Sequence, residues 1–334
     1  MSPSQLKSLI IARFKAGIKR ALLVEGPPGL GKTQIPEQVA RDLGIGYMII
    51  HTPLLQAEDY GFPVVSADRK DVNFLVSKDK FPIEGSNCPD TGIFTLDEFP
   101  QADNSIQKIL ANVVQEREIH GHKLKPGWMI VATGNRTTDR AGANRILSHL
   151  GNKITRVELE TSIDDWTRWA LQNNVRPEVI AFLRFKTALL NGFDPQAECN
   201  PTPRSWVNGV SASLGVTPAE LEFEVFKGDV GEGAAAEFLS FLKICRHLPN
   251  PDVIMLNPSK AAVPKEPNVL YALCSTLAHR ATPDNFGRIL TYVERMDAEF
   301  TMLFVRDALA LCPDIQNSAD FIKAASGPLS KILT

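Results

Sequence analysis

Apolar residues in this chain gather into short continuous runs, with stretches of helical period between them. Ala21-Leu22-Leu23-Val24, Tyr47-Met48-Ile49-Ile50, Gly92-Ile93-Phe94-Thr95-Leu96, Trp128 to Thr133 and Ile154 to Leu159 each read as a buried strand. The intervening segments repeat differently. Leu6, Leu9, Ile10 and Phe14 share one helical face after the Ser2-Pro3-Ser4-Gln5 start signal. Ile35, Val39, Ala40 and Leu43 share another until Gly44, and Ile106, Ile109, Leu110 and Val113 share a third after Asp103. Apolar strands alternating with amphipathic helices predict an α/β layer, a parallel sheet of five strands sandwiched by helices.

Two interruptions break the alternation. Residues 54–78 carry Pro/Gly punctuation and a polar stretch, Ser66 to Asp71, and Phe62 to Val65 pairs by pattern with Val72 to Val76 as a hairpin. Residues 117–127 alternate around Gly121 and predict a second hairpin. Beyond Glu160 the strand signal ends. Ser162-x-x-Asp165 opens a helix with Trp166 and Trp169, both read as core, and Pro177 to Leu190 is another. Thr202-Pro203-Arg204-Ser205-Trp206 places Arg204 in the first turn of a helix; Thr217-Pro218 and Thr282-Pro283 repeat the device. Five prolines between Pro249 and Asn268 read as a linker, followed by four helix-like segments. The expected organisation is an α/β core over 1–160, an all-α lid over 161–248, and a linker with a helical extension over 249–334.

Candidate chemistry sits at the strand ends. After the first strand, Gly26-Pro27-Pro28-Gly29-Leu30-Gly31-Lys32-Thr33 matches the P-loop pattern and opens a helix at Gln34. Such a loop curls its N–H groups around an anion at a helix N-terminus, so residues 26 to 34 are expected to bind ATP. Lys32 would neutralise the β/γ oxygens, and the Thr33 hydroxyl would hold Mg²⁺. The strand ending at Asp97-Glu98 supplies two adjacent carboxylates. Asp97 would join the Mg²⁺ shell and Glu98 would orient and polarise the attacking water. Asn135 ends the Trp128 strand, where an amide can touch both the γ-phosphate and that water.

Composition narrows the partners. A net charge of −2 gives no footprint for nucleic acid. Five scattered cysteines without a Cys-x-x-Cys pair indicate neither disulfides nor zinc, and no apolar run approaches membrane length. A soluble, cytoplasmic protein is the expectation. His120 and His122 flank Gly121 without further ligands in the sequence, so a solvated or ring-facing hairpin is preferred to a metal site. Glu58-Asp59 can be read as a working loop or a solvated one.

The ordered set of P-loop, Asp-Glu strand, strand-terminal Asn and helix-opening Arg resembles the AAA+ ATPases. Finer features are similar to the MoxR branch: the insert at Gln56 to Val76, the hairpin before Asn135, Ala132-Thr133-Gly134-Asn135, Asp139-Arg140-Ala141-Gly142, and Thr202 to Trp206. The resemblance spans roughly residues 5–228. It implies Lys32 and Thr33 as Walker A, Asp97 and Glu98 as Walker B, Asn135 as sensor 1 and Arg204 as sensor 2. It also implies a hexameric ring that remodels a partner, often beside a protein with a von Willebrand A domain. Two departures stand out. Lys153 occupies the place of the arginine that would complete a neighbour's site, with Arg145, Arg140 and Arg156 as other sources of that charge. Pro36 enters the P-loop helix and should distort it locally. A nucleotide-gated module with slow hydrolysis stays open as a second reading; a nucleic-acid motor is disfavoured by charge.

Overall fold

The computed structural model describes residues 1–136, 148–194 and 196–327. The first elements are α1 (Pro3–Lys15), β1 (Leu22–Glu25), α2 (Gln34–Leu43), β2 (Gly46–His51), α3 (Ala57–Tyr60), β3 (Phe62–Val65) and β4 (Val72–Leu75). Next come β5 (Thr91–Asp97), α4 (Asn104–Gln115), β6 (Glu118–Ile119), β7 (His122–Lys123), β8 (Gly127–Gly134), α5 (Ser148–Gly151) and β9 (Thr155–Glu158). All fall in a first compact unit, Met1–Ser162, while a second spans Ile163–Thr334.

β1, β2, β5, β8 and β9 form a five-stranded sheet in the order β2-β5-β8-β1-β9. Every pairing in it is parallel, as the runs of apolar residues predict. Strand alternation sorts the core into two layers. Leu22, Val24, Ile93, Met129 and Val131 pack with Leu6, Ile10, Ile35 and Val39 of α1 and α2. Leu23, Phe94, Leu96, Ile130 and Ala132 pack on the other face with Ile106, Leu110 and Val113 of α4. Each buried Leu, Ile, Val, Phe or Met side chain among these contributes about 1.5–3 kcal/mol. Parallel strands all end at one edge, and that edge carries the candidate chemistry.

Both expected hairpins form, β3 with β4 and β6 with β7. They touch each other. The His120 ring stacks on Phe74 at 4.4 Å and His122 Nε2 lies 2.9 Å from the Phe74 carbonyl oxygen. Burial, then the neighbouring His122, holds His120 below the usual histidine range. These histidines are packing residues, and among the described residues no cluster has the make-up of a metal site. Asp59, left undecided by sequence, caps α3 through the Gln56 N–H and pairs with Lys80 at 2.7 Å.

The second unit is helical: α6 (Ile163–Gln172), α7 (Pro177–Phe185), a π-helical stretch (Ser205–Ser211), α8 (Glu222–Val230) and α9 (Glu232–Cys245). Then follow α10 (Pro251–Leu256), α11 (Pro267–Arg280), α12 (Phe286–Val293), α13 (Ala298–Leu311) and α14 (Ala319–Ala325). Trp166 and Trp206 are buried, and the Trp206 indole donates to the Leu189 carbonyl at 2.6 Å. A buried ion pair joins α7 to α13, with Arg184 Nη1 on Asp307 Oδ2 and Nη2 on Oδ1 at 2.7 Å.

Several local expectations differ from the structure. The proline-rich stretch from Pro249 is folded, not a free linker. Asn250 caps α10 by accepting from the Asp252 N–H, Ile254 is buried, and Tyr292 Oη donates to the Ala262 carbonyl at 2.7 Å. The regular helices expected at Thr217-Pro218 and Thr282-Pro283 start later, at Glu222 and Phe286. Turns intervene, closed by Leu221 N–H on the Pro218 carbonyl and by Thr282 N–H on Asn285 Oδ1. No helix among the described residues is long and apolar enough to cross a membrane.

Candidate functional site

The P-loop joins β1 to α2. Gly29 and Gly31 have φ of 78° and 79°, backbone conformations that side chains resist and that the tight anion-binding turn requires. Pro36 has no N–H to offer the Lys32 carbonyl. Regular α2 therefore begins at Gln34, while Ile35 N–H still closes onto the Gly31 carbonyl at 3.0 Å. Pro36 thus falls in the first turn of α2, downstream of the loop N–H groups, where a missing N–H is tolerated.

Lys32 and Thr33 each reach a distant strand end. Lys32 Nζ donates to the carbonyls of Gly26 and Pro27, both at 2.7 Å, and to Asn135 Oδ1 at 2.9 Å. Thr33 Oγ1 donates to Asp97 Oδ1 at 2.7 Å. The β1–β8 and β5–β8 pairings put residues 26, 97 and 134 at one edge of the sheet. Lys32, Thr33, Asp97 and Asn135 thus converge from three loops.

The end of β8 grips the end of β5. Thr133 Oγ1 donates to Asp97 Oδ1, and the Glu98 N–H donates to Thr133 Oγ1 at 3.3 Å. Glu98 itself sits in the left-handed region, φ 55°, with its side chain exposed to water. At Gly134 an added Cβ would come within 2.4 Å of Pro100 Cδ, so only glycine lets the two strand ends close. Turned with its oxygen inward, the Gln101 amide accepts from Asn135 Nδ2 at 2.9 Å and from Asn135 N at 3.0 Å.

Several of these partners have no sequence motif. His51 ends β2 directly beside Asp97 in register, and its Nδ1 lies 2.9 Å from Asp97 Oδ2. Thr52 Oγ1 donates to the Asp97 carbonyl at 3.0 Å, and Tyr47 Oη donates to the Thr33 carbonyl at 3.3 Å. Burial pushes the Tyr47 phenol up to about 12, keeping it a donor at neutral pH. The signal for them was positional: each lies on β2, which ends beside Asp97, or directly after it.

The donor set suits a hard cation. A hydroxyl, Thr33, and a carboxylate, Asp97, share one hydrogen bond at the foot of the loop. Magnesium characteristically takes one or two such oxygens and completes its shell with phosphate and water. Thr33 and Asp97 would therefore hold Mg²⁺ alongside a nucleotide.

Lys153 stands in the turn between α5 and β9, exposed, with no ion pair among the described residues. Arg156 is engaged, forming a double hydrogen bond to Glu25 at 2.7 and 3.0 Å. Arg140 and Arg145 lie outside the described residues. Arg204 belongs to the second unit, exposed and helical, just ahead of the π-helical stretch; Thr202 Oγ1 accepts from the Ser205 N–H at 3.2 Å and so caps that start.

Residues 22–156 match the family model described as ATPase family associated with various cellular activities (AAA). A short stretch of 55 residues is 40% identical to the Holliday junction branch migration complex subunit RuvB of Gluconobacter oxydans, spanning 16% of this chain and 16% of that protein. Among solved structures, NtrX from Brucella abortus in complex with ADP overlaps with a TM-score of 0.41 at 14% identity, over 99% of this chain and 68% of that one. A RuvB variant from Thermotoga maritima overlaps at 0.38 and 14% identity, over 87% of this chain and 86% of that one. The assignment rests on the family match, which covers the P-loop and both strand ends that meet it. Residues 22–156, with the P-loop and the acid-bearing strand end among them, thus match an AAA ATPase domain.

Proposed function

We propose that the chain is a MoxR-type AAA+ ATPase that assembles into a hexameric ring and uses ATP hydrolysis to remodel or activate a partner protein. The observation that carries the reading is the pair of hydrogen bonds from neighbouring P-loop residues, Lys32 to Asn135 and Thr33 to Asp97. They bring the phosphate-binding loop, the acid pair and the terminal amide to one sheet edge. Lys32 binds the β/γ oxygens. Thr33 and Asp97 would hold Mg²⁺, which would supply charge neutralisation on the phosphates. Glu98, exposed at the strand end, accepts the proton of the attacking water as its oxygen bonds to the γ-phosphorus and the bond to the β-phosphate oxygen breaks. Asn135 orients that water. Arg204 reads the nucleotide state as sensor 2, and Lys153 or Arg145 completes the site of a neighbouring subunit. The partner is a protein, and one with a von Willebrand A domain fits the resemblance; the balanced charge speaks against nucleic acid.

A ring that shares its sites between subunits should be favoured by ATP through linkage. Sedimentation of Glu98→Gln with ATP and Mg²⁺ should show a hexamer, because the amide keeps binding and cannot take the water's proton. A monomer at micromolar concentration sinks the ring. Wild-type turnover by Glu98→Gln sinks the acid assignment, and very slow wild-type turnover favours a nucleotide-gated switch over a motor.

A further inference from the structure

His51 has no place in the P-loop or Asp-Glu motifs, yet it binds the residue that both of them need. β2 and β5 end together, with His51 paired to Asp97 across the ladder. Their side chains emerge on the α2 face of the sheet, since Ile93, two pairs back on β5, packs among the α1 and α2 residues. Asp97 is thereby divided between two sets of donors. Its Oδ1 receives the hydroxyls of Thr33 and Thr133, and its Oδ2 meets His51 Nδ1 at 2.9 Å. A carboxylate can only accept, so Nδ1 carries the proton and Nε2 is left to the solvent side of a ring that is 53% exposed. Thr52 fixes the backbone of the same residue from below. Tyr47, four positions back on the same face of β2, holds the Thr33 carbonyl. One edge strand therefore braces both oxygen donors of the cation site.

Resting on the ATPase reading of this site, we propose that His51 is a positioning residue for the divalent cation. Its Nδ1–H locks the Asp97 carboxylate with Oδ1 turned to Thr33, so that the pair meets the cation without first reorganising. Partners that orient a metal-binding carboxylate typically change metal affinity by about 10–100-fold when removed. The chemistry needed is a single N–H donor at the Nδ1 position, which the Nδ2 of an asparagine reproduces.

The test is Mn²⁺ binding to the full chain with ADP, read by loss of the free-ion electron paramagnetic resonance signal. His51→Ala should weaken Mn²⁺ binding about 10-fold or more, leaving ADP affinity in the presence of a chelator unchanged. His51→Asn should restore most of the Mn²⁺ affinity. Melting curves identify a variant that fails to fold, and His51→Asn, which keeps the donor, then carries the comparison with wild type. Wild-type Mn²⁺ affinity in a folded His51→Ala overturns the inference, as does a folded His51→Asn with weakened binding. Absence of metal-dependent ADP binding in the wild-type chain overturns the ATPase reading itself, and this inference with it.

Discussion

The Lys32 ammonium and the Asn135 amide oxygen lie 2.9 Å apart although 103 residues separate them in sequence. Asn135 is in turn held by Gln101, which follows the acid pair. One amide therefore links the P-loop lysine to the strand that carries the proposed base.

Asn135→Ala should separate chemistry from binding. On the proposed mechanism it removes a fixed dipole beside the γ-phosphate and leaves the loop N–H groups untouched. Turnover is expected to fall ~10²-fold, the usual scale for one preorganised polar group. ADP affinity, measured by titration, should stay near wild type. A parallel collapse of affinity would make Asn135 part of the loop's scaffold instead.

Lys153 or Arg145 should act on the neighbour's site. A finger supplied in trans is worth ~10³-fold or more in turnover. Whichever of Lys153→Ala and Arg145→Ala removes the finger should lose that factor, and mixing it with Lys32→Ala subunits should recover hydrolysis, because the two lesions then fall in different sites. If neither reduces turnover, this segment does not carry the finger.

The Arg184–Asp307 pair should be costly to break from one side. Both side chains are buried, 5% and 0% exposed, so either partner alone would be an uncompensated charge. Arg184→Ala or Asp307→Ala is expected to cost about 3–5 kcal/mol. A paired Arg184→Met, Asp307→Leu chain should lose much less. Thermal or urea melting decides it.

Asp229 gives a pH signature of stability. Its Oδ2 is buried without a hydrogen-bond partner, and a Cβ on Gly209 would fall 2.4 Å from its carboxyl carbon. Burial raises its pKa above the usual aspartate range. A raised carboxylate pKa means that the folded state holds the proton more tightly than the unfolded one. Stability from this group is thus present below the unfolded pKa and is lost as pH rises through the folded value. Asp229→Asn should raise the melting temperature at pH 8 and change it least in acid. Equal effects at both pH values would show that charge is not the cause.

What the sequence made legible here was whatever chain-local chemistry dictates. The P-loop announces itself because its glycines and lysine must be spaced along one turn. Asp97 and Glu98 stand out because carboxylates rarely end an apolar run. The five strands and their flanking helices follow from alternation alone. His51, Thr133 and Gln101 were not legible, because their meeting with Asp97, Glu98 and Asn135 depends on strand order and register. Proline density misled at Pro249 to Asn268. There Pro251 and Pro267 occupy first-turn positions of α10 and α11, where a missing N–H costs nothing.

The all-parallel sheet has a consequence for how the catalytic edge comes into being. Parallel neighbours cannot be joined by tight turns, so each pairing in this sheet brings together segments separated by at least a helix or an insert. Such non-local pairing slows folding and leaves no early fragment with a finished site. A chain emerging from the ribosome has its phosphate loop long before it has Asp97, and Asp97 before Asn135. Nucleotide binding should therefore arise late and all at once, which makes ATP a reporter of completed folding in the first unit and a stabiliser of that state only.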